Sequence, residues 1–586
     1  PLVGPAIYGK LKKEALNGIS SKKPSQNSLL VETEQFPHKG GWVIDQQFMD
    51  QMGSPYLLAH GLGQPVADAS TRVSFPKTGR YHVWVRTKDW APFPKGPGTF
   101  KLHINDNALN TSFGSNGDPN WKWQYGGTVD VKQIVNKVSL QDLTGFEGRC
   151  DALFFTQDSS HRPPNNPDKL KKFRRHMLGL PQIPTDAGQY DYVVVGGGRA
   201  GTCAAVAAAR KGLKVALIHD RPVLGGPNSS EVRVNAGGEL NKTHYSGIGS
   251  IVKELDVMYG SPDWKRHNAG RNPEAYGDEK KLKVVQSEKN ITLYLNMHAT
   301  DVKVKNGTIQ SVIAEDIETN EEFLFTAPLF ADCTGDANIG YLAGADYRMG
   351  RESKEHTRES YAVDKEDEYT MGSSNLWNAV KTEKPTSFPQ CPWALQFSED
   401  YHIDDKKGDW QWETGFDDFH TIREAEELRD HNFRAVYGNW AYLKNNLPEY
   451  KYWQLNWLAY IAGKRESRRL MGDIILDQHD IQNQNMYPDS FVETTWSIDL
   501  HFPEPECSKY FDKEFRSICQ QPEIEPYPIP FRCLYSRNIS NLLMAGRDIS
   551  VTHVALGTVR VQRTTGMMGE VIGYAAYLCN QFDVTP

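Results

Sequence analysis

The sequence predicts an α/β domain built on a parallel sheet, interrupted by an inserted α+β region and preceded by an all-β sandwich. Three observations carry this reading. Near residue 190 an apolar strand runs through a glycine turn into an alanine-rich helix and then a second strand. Upstream, short alternating runs recur between turns rich in Gly, Pro, Asn and Asp. Downstream, helical patterns and a cluster of tryptophans interrupt the α/β pattern, which returns only near the C-terminus.

Residues 28–158 are the expected β-sandwich. Ser70–Phe75, Arg80–Arg86, Thr99–Ile104, Lys137–Leu140 and Asp151–Thr156 read as its strands. Trp42, Trp90, Trp121, Trp123 and Tyr125 suggest an exposed platform for sugar rings, with core packing as the alternative; Trp84, in an alternating strand, reads as core. By pattern alone this module resembles the jelly-roll carbohydrate-binding-like domains of secreted bacterial enzymes. Residues 159–189 contain His161-Arg-Pro-Pro-Asn-Asn-Pro-Asp, a basic run, Pro181 and Pro184, which predict an extended, poorly packed linker.

The strand Tyr192–Val195 leads into Gly196-x-Gly198-x-x-Gly201, a helix over about Ala200–Arg210 and a strand Lys214–Ile218. That context makes the glycines a dinucleotide-binding turn. Gly196 allows the tight turn, Gly198 lets backbone approach a pyrophosphate, and Gly201 brings helix close to strand. The helix N-terminus, with Arg199 and Ala200, offers N–H groups and partial positive charge to phosphates. The second strand should end in an acid that binds the adenosine ribose. His219 stands there and Asp220 follows, so either could hold the ribose. Helices are expected near 244–260 and 274–288. Strands are expected at Ile291–Asn296, Val302–Lys305 and Ile309–Asp316, with a turn at Asn306-Gly307, then at Leu329–Cys333 and Asn541–Ala545. A closing helix is expected over about Thr565–Asn580.

Four motifs together resemble the FAD-dependent oxidoreductase family of the glutathione-reductase-like flavoprotein superfamily. They are Gly196–Gly201, Arg221-Pro-Val-Leu-Gly-Gly, Ala331-Asp-Cys-Thr-Gly-Asp-Ala-Asn, and Asn541-Leu-Leu-Met-Ala-Gly-Arg with its helix. The resemblance covers 190–586 and implies an FAD-binding Rossmann-like domain in two parts, 190–350 and 526–586, around a substrate or cap region at 351–525. It implies FAD contacts from Arg221, Gly225, Gly226 and Ser229, and adenine pairing at the backbone of Ala299. Thr334, Gly335 and Asp336 follow a strand end, where Asp336 would meet a cofactor hydroxyl or cap a helix. Gly546, Arg547 and Asp548 end the last strand. The family often has Asp at Arg547, which leaves Arg547 or Asp548 to hold the ribityl chain. Thr564, Thr565 and Gly566 would present a positive helix end to the flavin. Gly566, Gly569, Gly573 and Ala576 make a small-residue face for close packing.

Catalytic candidates follow from chemistry. Oxidising an alcohol needs a base for the hydroxyl proton, and histidine suits that near neutral pH. His501, two residues after Asp499 in an alternating run, and His553 are the leading candidates, with His244 third. Gly463–Arg469 reads as a helix on which Arg465, Arg468 and Arg469 lie within one turn; Arg465 would bind substrate oxygens, the alternative being a solvated face paired with Glu466.

At 586 residues the chain is long enough for several domains. Its net charge of −7, with no large basic block, argues against a nucleic-acid partner, and no apolar stretch reads as a membrane span. Eight scattered cysteines form no Cys-x-x-Cys pair, so no metal site is signalled; a Cys507–Cys519 disulfide is conceivable. A start at Pro1 without Met gives the expectation of a removed leader and a periplasmic or secreted home. The expected activity is FAD-dependent hydride abstraction from a CH–OH group of a carbohydrate or glycoside. The alternatives are a redox-neutral oxidation–elimination on a saccharide, a non-catalytic sugar-binding protein with a vestigial flavin fold, and an NAD-only dehydrogenase, against which the C-terminal helix motif argues.

Overall fold

A computed structural model describes residues 26–92, 96–240, 242, 245, 247–257, 259 and 272–586. Its centre is a five-stranded parallel sheet in the order Ile291–Leu295, Val215–His219, Tyr192–Val195, Leu329–Asp332, Leu542–Met544. Val194 lies opposite Leu217 on one side and Ala331 on the other. Every residue of Tyr192–Val195 is buried, as a strand covered on both faces must be. The C-terminal segment supplies the last strand, so the sheet is complete only when the chain returns from its long insertion.

Helix Arg199–Arg210 covers the sheet and is itself crossed by the closing helix Gln562–Phe582. The small-residue face makes this contact. A Cβ at Gly569 would lie 2.0 Å from the Ala200 carbonyl oxygen, and one at Gly573 would lie 2.5 Å from that of Ala204. Beside this sheet stands a second, ordered Thr185–Gln189, Glu322–Thr326, Thr308–Asp316, Met297–Lys305, with its hairpin turned by Asn306 and Gly307 at φ 53° and 70°. The helices expected near 244–260 and 274–288 are Ser250–Leu255 and Asp278–Ser287; His244 lies outside the described residues.

The front part contains three antiparallel sheets, whose main apolar core includes Leu29, Leu57, Val83, Leu102, Val138 and Phe155. The expected aromatic platform is not there. Trp42, Trp90 and Trp123 are buried, and Trp121 is turned inward so that its indole N–H donates to Glu426 at 2.9 Å. Trp84 is half-buried, with the Arg162 guanidinium over its ring, and Tyr125 alone of the five platform candidates stays exposed, at 44%. The Gly/Asn-rich stretch just before Trp121 stays largely exposed, at Asn116, Gly117, Pro119 and Asn120, while the indoles that follow it turn inward.

Residues 159–189 depart from the extended linker expected of them. Asn166 caps a helix, Pro167–Leu178, by accepting from the Lys169 N–H, and Gly179 ends it at φ 64°. Pro167 sits where a helix tolerates proline. Leu170, Arg174 and Met177 are buried on one face, and Arg174 bonds Glu32 at 3.0 Å and also Asp151. Thr185–Gln189 is then an edge strand paired with Glu322–Thr326.

Between 350 and 490 the expected run of long helices reduces to one, Ala425–Asn446. Trp377–Lys381 and Trp453–Leu458 are instead a pair of antiparallel strands, as aromatic and branched side chains favour. The segment Gly463–Arg469, expected as a helix, is extended: Gly463–Lys464 pairs with Ser373–Ser374, and Arg469–Leu470 with Tyr347–Arg348. Its three arginines consequently point to different partners.

The front part is locked to the long helix by buried charge. Arg149 donates to Glu426 at 2.6 Å and to Asp430 at 2.9 Å, Arg429 donates to Asp45 at 2.6 Å, and Lys88 lies 3.1 Å from Glu426. The Tyr56 hydroxyl touches both Asp45 and Glu426 at 2.9 Å. All eight cysteines are free, Cys507 and Cys519 included. Among the described residues no helix is long and apolar enough to cross a membrane, and no group of three or more His, Cys, Asp or Glu is placed to hold a metal.

Candidate active site

A cavity of about 1080 Å³ opens at the C-terminal ends of the parallel strands, where open α/β sheets bind ligands. The structure brings most of the expected cofactor residues to its wall: Gly196, Gly198, Arg199, Ala200, His219, Asp220, Arg221, Gly226, Ala299, Thr334, Gly335, Asp336, Gly546, Arg547 and Thr565. Gly201, Gly225, Ser229, Asp548, Thr564 and Gly566 stand behind it.

The glycines divide by what a side chain would meet. At Gly198 a Cβ meets nothing within 4 Å, so its missing side chain leaves room in the cavity. At Gly201 a Cβ would lie 1.9 Å from the Gly196 carbonyl oxygen, so that glycine serves packing. Gly197, passed over in the spacing motif, is equally constrained: its Cβ would lie 2.6 Å from the His219 ring. His219 holds the turn with both ring nitrogens. Nδ1 accepts from the Gly197 N–H at 3.0 Å and Nε2 donates to the Val223 carbonyl at 3.0 Å. Burial lowers its pKa to about 4, which keeps the ring neutral for that pair of contacts. His219 therefore has no nitrogen left for a ribose, and Asp220 is the acidic group on the wall.

Arg199 is 2% exposed, and while Nη2 donates to Asn228, its Nε and Nη1 have no partner. A buried guanidinium with free donors beside a helix N-terminus suits an anionic diphosphate. At the other end Asp336 accepts from Lys464 at 2.7 Å, Arg547 at 2.6 Å and Ser467 at 2.8 Å. Burial alone would raise its pKa, but the charges of Lys464 and Arg547 outweigh it and hold the carboxyl well below the usual range. Asp336 and Arg547 thus form one charged unit on the wall, and the Arg547 Nε remains without a partner. Asp548 does not share this place. It is fully buried, and burial and the neighbouring Asp332 charge push its carboxyl well above the usual range. Gly566 packs against Val252 and Arg199, Ser229 closes its own turn onto the Gly226 carbonyl, and the buried Thr564 hydroxyl has no partner. The open Gly198 cradle, the free Arg199 donors and the polar wall fit FAD.

The remainder of the wall includes Trp410, Trp496, Asp499, His501, Gln521 and Arg465. His501 Nδ1 lies 2.6 Å from Glu413, its Nε2 lies 3.2 Å from Asp499, and Trp410 stands edge-on to its ring at 5.1 Å. Asp499 is in turn held by Arg560 at 2.8 Å and Gln521 at 2.9 Å. Glu413 lies 88 positions from His501, and no sequence signal links them. Arg465 is not a free anion anchor: it donates to Ser374 at 2.8 Å and the Trp410 carbonyl at 3.0 Å, and lies 3.3 Å from Glu413. His553 is kept away from the cavity. It is buried, its Nδ1 lies 2.9 Å from Glu466, and its backbone N–H donates to Glu352.

The model of the FAD dependent oxidoreductase family matches residues 191–586. The chain belongs to that family. It is an enzyme, and its cofactor is FAD. It is also similar to a tRNA uridine 5-carboxymethylaminomethyl modification enzyme of Heliobacterium modesticaldum, 26% identical over 182 residues, which are 27% of this chain and 25% of that one. The chain thus spans a quarter of that curated relative. Among solved structures, a geranylgeranyl bacteriochlorophyll reductase-like protein of Thermoplasma acidophilum aligns at 15% identity over 67% of this chain and 79% of its own, with a TM-score of 0.32. A family 35 carbohydrate binding module from Clostridium thermocellum aligns at 16% identity over 22% of this chain and 96% of its own, with a TM-score of 0.18.

Proposed function

We propose that this enzyme oxidises a CH–OH carbon of a saccharide or glycoside, with His501 receiving the hydroxyl proton. The placement of His501 on the cavity wall carries the reading. Glu413 orients the ring through Nδ1 at 2.6 Å, and the longer 3.2 Å contact of Nε2 with Asp499 is the one a substrate hydroxyl replaces so that Nε2 can take its proton. Trp410 and Trp496 put indoles, which pack well on the C–H side of a sugar ring, on the same wall as the polar side chains of Lys407, Asp499 and Gln521. FAD, when bound, accepts the hydride. The strand-rich front part is taken to be a sandwich of carbohydrate-binding type. Because its tryptophans are spent on packing, the sugar reading rests on the cavity and not on that module.

Anaerobic mixing with a panel of saccharides and glycosides tests this by bleaching of the flavin. His501→Asn is expected to lower the bleaching rate by about 10²–10⁴ while the protein keeps its FAD. A panel in which no sugar bleaches or perturbs the flavin refutes the substrate class, and an unaltered rate in His501→Asn refutes the base.

A further inference from the structure

The cofactor cavity is not built by the FAD-binding residues alone. Gln46, Gln47, Phe48, Asp50 and Gln51, all from the front part, stand on its wall. They belong to one segment, which runs from the strand Val43–Asp45 into the short helix Met49–Met52. The segment is tied down at several points. The Gln47 amide N–H donates to the Tyr460 carbonyl at 2.9 Å, its amide oxygen accepts from the Ala462 N–H at 2.9 Å, and Asp45 pairs with Arg429.

Two of these side chains bear directly on the cofactor cavity. Asp50 reaches the cofactor domain and accepts from His298 Nε2 at 2.9 Å. The other ring nitrogen of His298 lies 4.0 Å from Asp220, the acid at the end of the second strand. Burial would push the His298 pKa down, but the Asp50 hydrogen bond and the charges of Asp50, Asp220 and Glu315 prevail and raise it to about 9. The His298 ring is thus hydrogen-bonded to a front-part carboxylate and faces the carboxylate suited to a ribose at 4.0 Å, where charge but no hydrogen bond links them. Gln46 is the second case. It is 2% exposed, on the cavity wall, and its amide Nε2 has no hydrogen-bond partner. A buried amide without a partner forfeits its hydration with nothing in return, and a bound ligand accepting from it would make good that loss.

We propose that the front strand module is part of the FAD site: Asp50, acting through His298, positions Asp220 for the adenosine ribose, and Gln46 donates an amide hydrogen bond into the cavity. Asp50 is thus a positioning residue and Gln46 a ligand contact. The proposal rests on FAD being the cofactor but not on the sugar reading, and its test needs no substrate.

Apo-protein of the full chain, with Asp50→Asn, Gln46→Ala or the exposed control Asp130→Asn, is titrated with FAD and, separately, with ADP in competition against FAD. Thermal midpoints of the apo-proteins are measured in parallel. Asp50→Asn is expected to raise the Kd of both FAD and ADP by about tenfold, because the adenosine half carries the effect. Gln46→Ala is expected to weaken FAD by a similar factor, with the control unchanged. FAD and ADP affinities in Asp50→Asn equal to those of the control overturn the Asp50 assignment. An unaltered FAD affinity in Gln46→Ala overturns the Gln46 contact. If Asp50→Asn lowers the apo-protein midpoint and leaves both affinities unchanged, the contact is purely structural and the proposal fails.

Discussion

Replacing Gly198 by alanine separates what the glycine turn does for the cofactor from what it does for the fold. Its φ of −65° suits any residue, and an added Cβ meets no protein atom within 4 Å. Alanine is a poorer helix cap than glycine, at a cost of about 0.5 kcal/mol. The smaller entropy of the unfolded chain offsets this by about 0.4–1 kcal/mol. The apo-protein should therefore keep its thermal midpoint. The methyl group nevertheless enters the space that a pyrophosphate must share with the backbone N–H groups at the start of helix Arg199–Arg210. Losing two charge-assisted hydrogen bonds at about 1.5 kcal/mol each weakens FAD binding by about 3 kcal/mol, or roughly two decades in Kd. Gly201→Ala should do the reverse. Its methyl would lie 1.9 Å from the Gly196 carbonyl oxygen, and such overpacking costs about 1–3 kcal/mol, so the apo-protein melts earlier. Scanning fluorimetry of the apo-proteins, followed by FAD titration read through flavin fluorescence, measures both quantities. If Gly198→Ala binds FAD within about threefold of the parent protein, or melts as early as Gly201→Ala, the assignment of Gly198 to the pyrophosphate is wrong.

Other consequences can be measured in the same way. Glu426→Gln removes the carboxylate shared by Arg149, Lys88, Tyr56 and Trp121; leaving such buried charges without their partner costs about 3–5 kcal/mol, to be seen in a denaturant titration. The His298 pKa is raised from 6.5 to about 9, so its contribution to stability is complete below pH 6.5 and is lost as pH rises through 9. A pH series of thermal midpoints should show that decline, and Asp50→Asn should flatten it. For Glu413, burial is outweighed by Arg465 and His501, and its pKa falls from 4.5 to about 2. Its contribution is present above pH 4.5 and disappears as pH falls through 2, so Glu413→Gln should destabilise at pH 7 and progressively less toward pH 2.

Features encoded over a few neighbouring residues were legible in the sequence. The glycine spacing from Gly196 to Gly201, the Asn306-Gly307 turn and the small-residue repeat from Gly566 to Ala576 each have a local stereochemical cause, and each is where the spacing puts it. The helix Pro167–Leu178 was also legible in principle, because Leu170, Phe173, Arg174 and Met177 recur at helical spacing; the flanking prolines suggested a linker, yet Pro167 opens the helix. Gly463–Arg469 shows the opposite failure: its charged residues suit a helix, but pairing with distant strands pulls the segment extended. The site's charge network was not legible. Glu413 reaches His501, Arg149 reaches Glu426, and Asp50 reaches His298 across separations that no local pattern reports. The tryptophans failed as surface signals for a similar reason, since an exposed loop does not say which way the indoles beside it turn, and Trp121 turns to Glu426, 305 positions away.

The buried charges between the front strands and helix Ala425–Asn446 also bear on inheritance. A module that travels between proteins by recombination needs a seam that water can re-cover. Here the seam holds Arg149, Lys88 and Asp45 on one side and Glu426, Arg429 and Asp430 on the other. Excising the front strands would strand carboxylates and a guanidinium on an otherwise apolar helix face, and grafting them onto an unrelated enzyme would strand their counterparts. The two halves can therefore diverge only in step, each charge reversal on one side requiring a matching change on the other, and a nick in the connecting segment 159–189 would leave them associated.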